Sequence, residues 1–237
     1  TRCYGMHSKM TPVRFAANGP VPDVMHWTVP LPLYAEDRPN IVTIHDMIPL
    51  RLPYTTSNNR DAFKRLHQDS ADRADHIAVV SEATRQDVIA LLKVPEDKVS
   101  VTYQSVSIPA FSAAQDAETA TTLSSTFALG WKDYFMHFGA IEPKKNLGRL
   151  VEAYLASGSR TPLVIVGGRG WMRDDEVALL EQFQRDPNTE SERIRLYEYM
   201  SREMLLALVR GAKATLFPSL YEGFGLPALE AMALSTA

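Results

Sequence analysis

The sequence predicts an α/β fold built on two parallel sheets, and three observations carry that expectation. From about residue 130 onward, short apolar, β-rich runs alternate with segments of helical period, the pattern of a parallel sheet wound with helices. The first half repeats the pattern less cleanly. Between the halves, residues 110–125 are rich in Ala, Ser and Thr with little apolar periodicity, which suits a linker. The expected domains are therefore residues 1–110, a linker over 111–128, and residues 129–237.

In the first half the expected strands are residues 40–45 (NIVTIH), 76–80 (HIAVV) and 98–103 (KVSVTY). Ser81 caps a helix that carries Val88, Ile89, Leu91 and Leu92 and stops before Pro95. In the second half the strands are 134–139 (YFMHFG), 163–167 (LVIVG), 194–199 (IRLYEY) and 214–218 (ATLFP). Leu147, Leu150, Val151, Tyr154 and Leu155 form one face of an amphipathic helix, with Asn146 as its natural N-cap. A later helix runs from about Arg202 to Arg210, with Ser201 as N-cap and Gly211 as its stop.

Composition narrows the function classes. With 45% hydrophobic and 22% charged residues the chain is globular rather than disordered. A net charge of −3 gives no global reason to bind nucleic acid, so any anion site must be local. Cys3 is the only cysteine, which rules out an intramolecular disulfide or a Cys-based metal cluster and fits a reducing cytosol. No stretch approaches the roughly 20 apolar residues of a membrane-spanning helix. The first residues, TRCYGMHSKM, lack a signal-peptide core, and both ends read as truncated.

In an open parallel sheet, ligands bind outside the carboxyl ends of the strands, so the loops that follow strands are where chemistry is expected. Two stand out. Residues 139–146 (GAIEPKKN) leave a strand and enter a helix, with Lys144 and Lys145 just ahead of its N-terminus. Helix-end N–H groups and ammonium groups together make an anion site for which a diphosphate is the obvious ligand; the alternative is a solvated basic turn. Residues 219–230 (SLYEGFGLPALE) again join strand to helix. Gly223 and Gly225 allow close backbone approach, Pro227 suits the first helical position, and Glu230 falls within the first turn or so. Carboxylates are acceptor-only and suit a polyhydroxylated ligand bearing a phosphate, although two glutamates near a helix start also serve as plain dipole partners.

These residues resemble the donor-site signature of the family 4 retaining glycosyltransferases of the GT-B fold. That signature is a pair of glutamates with seven residues between them in an EGFGLPxLEAMA context, here Glu222 and Glu230, matched without gaps. A second family motif, glycine followed by a Pro-basic-Lys-Asn turn, appears as GAIEPKKN about eighty residues earlier. The resemblance continues through IVTIHDMIPLRLP and HIAVVSEATRQDVI and covers the chain from about residue 24. It implies two Rossmann-like domains with parallel sheets facing across a cleft, both incomplete here.

The resemblance also implies roles. Glu230 holds the ribose of the nucleotide and Glu222 contacts the donor sugar near the reacting carbon. Lys145, helped by Lys144, neutralises the diphosphate. Many members carry arginine directly after the strand-ending glycine, Gly139; here Ala140 stands there, so the second cation is Lys144. Gly223, Phe224, Gly225 and Leu226 complete the donor loop. His45 and Asp46 end a strand where the family places a histidine facing donor sugar and acceptor, the alternative being an Asp cap beside a surface histidine. Residues 167–171 (GGRGW) resemble a loop of mannosyltransferase-like members, although Trp171 also suits packing on the sheet edge. His137 reads as structural and His26 as ambiguous.

The function so implied is transfer of a hexose, leaning towards mannose and hence a GDP-mannose donor, to a glycan or lipid-linked acceptor in cell-surface polysaccharide synthesis. Retention follows from the family. No metal is expected, since the sequence offers no Asp-x-Asp triplet for one. The expected location is cytoplasmic, at the inner face of the plasma membrane through segments outside this sequence. The rival readings are a nucleotide-sugar epimerase on the same fold and a nucleotide-binding module without transfer activity.

Overall fold

The computed structural model describes residues 9–16, 18–168 and 193–237. The chain divides into two compact units, Thr1–Gln104 with Tyr221–Phe224, and Ser105–Leu220 with Gly225–Ala237.

The first unit contains β1 (Thr11–Val13), β2 (Met25–Trp27), β3 (Leu33–Ala35), β4 (Asn40–Ile44), α1 (Ile48–Arg51), α2 (Arg60–Arg73), β5 (His76–Val79), α3 (Glu82–Leu92) and β6 (Val99–Val101). Four strands form a parallel sheet in the order β2-β4-β5-β6, and β1 and β3 pair separately, also in parallel. Alternate residues Val42 and Ile44, Ile77 and Val79, and Val99 meet Ala71, Val88 and Leu92 of the helices in one core, as the period of two along a strand requires. Asn40 is a buried amide at the start of β4. It accepts from Ala35 N and Trp27 Nε1 and donates to Ala35 O and Arg38 O, so its burial leaves no polar group unsatisfied. Ser81 caps α3 by accepting from Thr84 N, and Lys93 closes the helix in the left-handed conformation.

The second unit contains α4 (Ala113–Phe127), β7 (Phe135–Phe138), α5 (Leu147–Ala156), β8 (Leu163–Val166), β9 (Ile194–Tyr197), α6 (Arg202–Gly211), β10 (Ala214–Thr215) and α7 (Leu226–Ala233). Its parallel sheet has the order β10-β7-β8-β9. Met136, Phe138, Val164 and Val166 pack with α4, α6 and α7, whereas Leu163, Ile165 and Ile194 pack with α5. Both faces are covered, which explains the unbroken apolar run LVIV.

The linker expected at residues 111–128 is instead α4, and the division between the units falls at Gln104 and Ser105. A capping box starts the helix: Ser112 accepts from Gln115 N, and the Gln115 side chain accepts from Ser112 N. Leu123 is its one fully buried residue, so the apolar period is faint. The Thr121 and Thr122 hydroxyls satisfy themselves on carbonyls one turn back, which lets a polar sequence stay helical. Asp116 pairs with Arg210 and ties α4 to α6.

One buried titratable group couples the first unit to pH. His67 on α2 is 7% exposed, stacks on Phe63 and donates from Nδ1 to Phe63 O. Burial pushes its pKa down from 6.5 to about 4, against the opposing pull of the Phe63 carbonyl and the Asp46 charge. The unfolded chain therefore takes the proton first. Stability from this site is complete above about pH 6.5 and is lost progressively towards pH 4, a change of about 3 kcal/mol. Urea unfolding at pH 7.5 and 4.5 should show His67→Phe losing less stability than the wild type over that interval. An equal loss in both would contradict the burial argument.

Candidate active site

The strand order of the second unit contains a reversal. The chain leaves β7 for β8, and later returns to place β10 on the opposite side of β7. The crevice at such a switch point, outside the carboxyl ends, is where open parallel sheets take ligands. The two loops that leave these neighbouring strands are the two that the sequence singles out. They are joined by main-chain and side-chain bonds: Leu220 N donates to Lys144 O at 2.8 Å, and Asn146 Nδ2 donates to Pro218 O at 3.2 Å.

The first loop is held by glycine. Gly139 has φ 129°, and a Cβ on Gly167 at the end of β8 would lie 2.0 Å from Gly139 O. Only hydrogen atoms fit there. Beyond Ile141 the chain makes a 3-10 turn, Pro143–Lys145, and Asn146 takes a left-handed conformation before α5 begins. Asn146 occupies the N-cap position but makes no capping bond: its backbone is left-handed rather than extended as a capping residue requires, and its Nδ2 donates to Pro218 O. Lys144 pairs with Glu142 at 3.2 Å. Lys145 is 8% exposed, a burial that argues against a plain solvated turn. His137, fully buried on β7, donates from Nδ1 to Leu216 O and fastens the strand to the residue after β10.

Gly225 stands at the N-cap of α7 with φ 97°, and the helix begins at Leu226, so Pro227 is its second residue and Glu230 lies in its second turn. Glu230 Oε1 accepts from Arg202 at the start of α6. In the sequence Arg202 carries no motif, and its one signal is its place directly after the Ser201 cap. A cavity of about 790 Å³ between α4 and α6 is lined by Phe111, Gln115, Glu118, Ser201 and Arg202.

His45, Asp46, Glu222, Gly223 and Phe224 belong to the first unit. Asp46 Oδ1 accepts from Ile48 N and shapes the entry to α1, while His45 Nε2 donates to Thr28 O. A Cβ on Gly223 would lie 2.2 Å from His45 O and 3.1 Å from Asp46 Cβ, so these three residues are brought together. The Phe224 ring faces Tyr103 with centroids 6.3 Å apart. His26 shares a hydrogen bond with Thr43 Oγ1. Of the GGRGW segment, Arg169, Gly170 and Trp171 lie outside the described residues, as does Cys3.

Residues 126–237 match the family described as Glycosyl transferases group 1, and residues 12–108 match Glycosyltransferase Family 4. The chain belongs to glycosyltransferase family 4. It is 33% identical over 198 residues to O-antigen chain mannosyltransferase B of Escherichia coli, covering 81% of this chain and 50% of that protein. It is 28% identical over 211 residues to O-antigen chain mannosyltransferase RfbU of Salmonella typhimurium, covering 89% and 53%. This family 4 chain thus spans about half the length of these curated relatives. The crystal structure of Anabaena HepE with UDP-glucose is similar in fold, with TM-score 0.66 and 19% identity over 84% of this chain and 52% of that one. The fold is GT-B.

The glycine contact at the strand ends gives a direct test. Gly167→Ala forces a Cβ into Gly139 O and should lower unfolding free energy by about 1–3 kcal/mol. Gly168→Ala meets only Glu198 O at 3.7 Å and should stay within about 0.5 kcal/mol of wild type. Denaturant melts compare the two; equal losses would show that the 139–167 approach does not constrain the loop.

Proposed function

We propose that the chain is the core of a retaining hexosyltransferase that moves mannose from GDP-mannose to a hydroxyl of a glycan or lipid-linked acceptor, in cell-surface polysaccharide synthesis. The observation that carries this reading is the joining of the lysine turn to the loop after β10 at the sheet's switch point. The mannosyltransferase relatives supply the choice of sugar.

In the proposed reaction the bond between the sugar's anomeric carbon and the diphosphate oxygen breaks, a bond to the acceptor oxygen forms on the same face, and the acceptor's hydroxyl proton passes to the departing diphosphate. Negative charge grows on the departing diphosphate. Lys145, Lys144 and the N-terminus of α5 supply positive potential that is already in place, so little reorganisation is needed as the charge develops. Glu230 accepts from ribose hydroxyls with lone pairs that Arg202 does not use. Glu222 accepts from the donor sugar, and His45 and Asp46 address sugar and acceptor. Gly223, Phe224, Gly225 and Leu226 let backbone approach the donor. No step calls for a metal.

Among the described residues no helix is long and apolar enough to cross a membrane. We place the enzyme at the cytoplasmic face of the plasma membrane, where nucleotide sugars and lipid-linked acceptors meet.

The test is mass spectrometry of products after incubation of the full-length protein with GDP-mannose and a lipid-linked oligosaccharide. The acceptor should gain one anhydrohexose unit, and UDP-glucose should be a poorer donor. An unchanged acceptor with an isomerised donor sugar would instead identify an epimerase, and binding without turnover a nucleotide-binding module.

A further inference from the structure

Three residues of the α3 segment, Ser81, Thr84 and Asp87, recur every third position, so they share one side of the helix. All three bond to residues 221–223. The Ser81 hydroxyl donates to Gly223 O at 2.5 Å and Thr84 Oγ1 lies 3.2 Å from the same oxygen. The Tyr221 hydroxyl donates to Asp87 Oδ2. Asp87 is 4% exposed, and a carboxylate so far from water needs a charged partner. Arg51 provides it, donating from Nε to Oδ1 at 2.6 Å, with Nη2 beside the same oxygen.

We propose that Asp87, backed by Arg51, is a positioning site for Glu222, which it fixes by holding the hydroxyl of the preceding residue, Tyr221. The proposal rests on the reading of Glu222 as the donor-sugar ligand. Glu222 has one pinned neighbour on each side. Tyr221 is tied to Asp87, and Gly223 is tied to Ser81 and Thr84 and lies flush against His45 O. Consecutive Cα atoms are about 3.8 Å apart, so two fixed flanks leave the Glu222 Cα little room to move. Burial, and then the bond to Asp87, push the Tyr221 pKa up, which keeps the hydroxyl protonated and donating throughout the physiological range. The buried Asp87–Arg51 pair lies one hydrogen bond from Tyr221, the residue before Glu222. Its value is geometric, because displacement of a reacting group by about 1 Å costs roughly a hundredfold in rate.

The experiment is steady-state transfer kinetics on the full-length protein carrying Tyr221→Phe, Glu222→Gln and both changes. Tyr221→Phe keeps the ring and removes only the hydrogen bond. It should lower kcat about tenfold and leave donor KM within about twofold, the signature of an interaction needed in the transition state. On the Glu222→Gln background it should add no further loss, since it acts through that carboxylate. A Tyr221→Phe protein with unaltered kcat, or losses that simply add, overturns the positioning role and leaves Glu222 at the sugar. An unaltered kcat in Glu222→Gln overturns both. Should Tyr221→Phe fold poorly, Asp87→Asn, which keeps an oxygen to accept the tyrosine bond, should retain more kcat than Asp87→Ala; equal activity in those two also overturns the proposal.

Discussion

The hydrogen bond from Leu216 N to Met136 O, 2.7 Å long, extends the pairing of β10 with β7, and the candidate donor site of the second unit depends on that pairing. It creates the reversal in strand order. Without it, the loops after β7 and β10 would leave the sheet from unrelated places, and Leu220 would not reach Lys144. The His137 imidazole, bonded to Leu216 O, and the links from Leu220 to Lys144 and from Asn146 to Pro218 continue the same seam. Each bond is worth only about 1 kcal/mol net. Their effect is to hold the lysine turn and the start of α5 in one arrangement.

Charge is distributed to match. The chain is acidic overall, yet the turn after β7 gathers two lysines at the start of α5, where the dipole adds to their potential. The carboxylates expected to read hydroxyl groups sit apart from them in the sequence. Arg202 holds one oxygen of Glu230, which limits the rotamers of that side chain. Buried polar groups elsewhere, Asn40 and Asp87, are bonded on every side the local fold offers. Such satisfied groups tend to specify one arrangement rather than add net stability.

Local chemistry made much of this legible. The apolar runs fixed β4, β5, β7, β8 and β9 to within two residues of the expected limits, and Ser81 and Ser201 cap the helices assigned to them. The glutamate pair and the lysine turn were visible as spacing. What escaped was tertiary. α4 hid because one buried leucine leaves almost no period to read, although its capping box Ser112 to Gln115 was a usable signal. β10 is two residues rather than five, since its last register partner is Thr215 with Met136 and the bond from Leu216 N is the last to β7. Asn146 has the side chain of a cap, but its left-handed backbone makes no capping bond, and its Nδ2 donates to a carbonyl 72 positions away. The bond between Asp87 and Tyr221 spans 134 positions, and no local pattern encodes it.

The role proposed for the turn at Lys144 and Lys145 is to take the diphosphate of the donor. Isothermal calorimetry of GDP and of guanosine, on the wild type and on Lys145→Ala, tests it most directly. Loss of a charge-assisted contact of about 1.5–3 kcal/mol should weaken GDP roughly tenfold to a hundredfold, with guanosine within about twofold of wild type. An equal loss for both ligands would mean that Lys145 supports the fold or the base, and the phosphate assignment would be wrong.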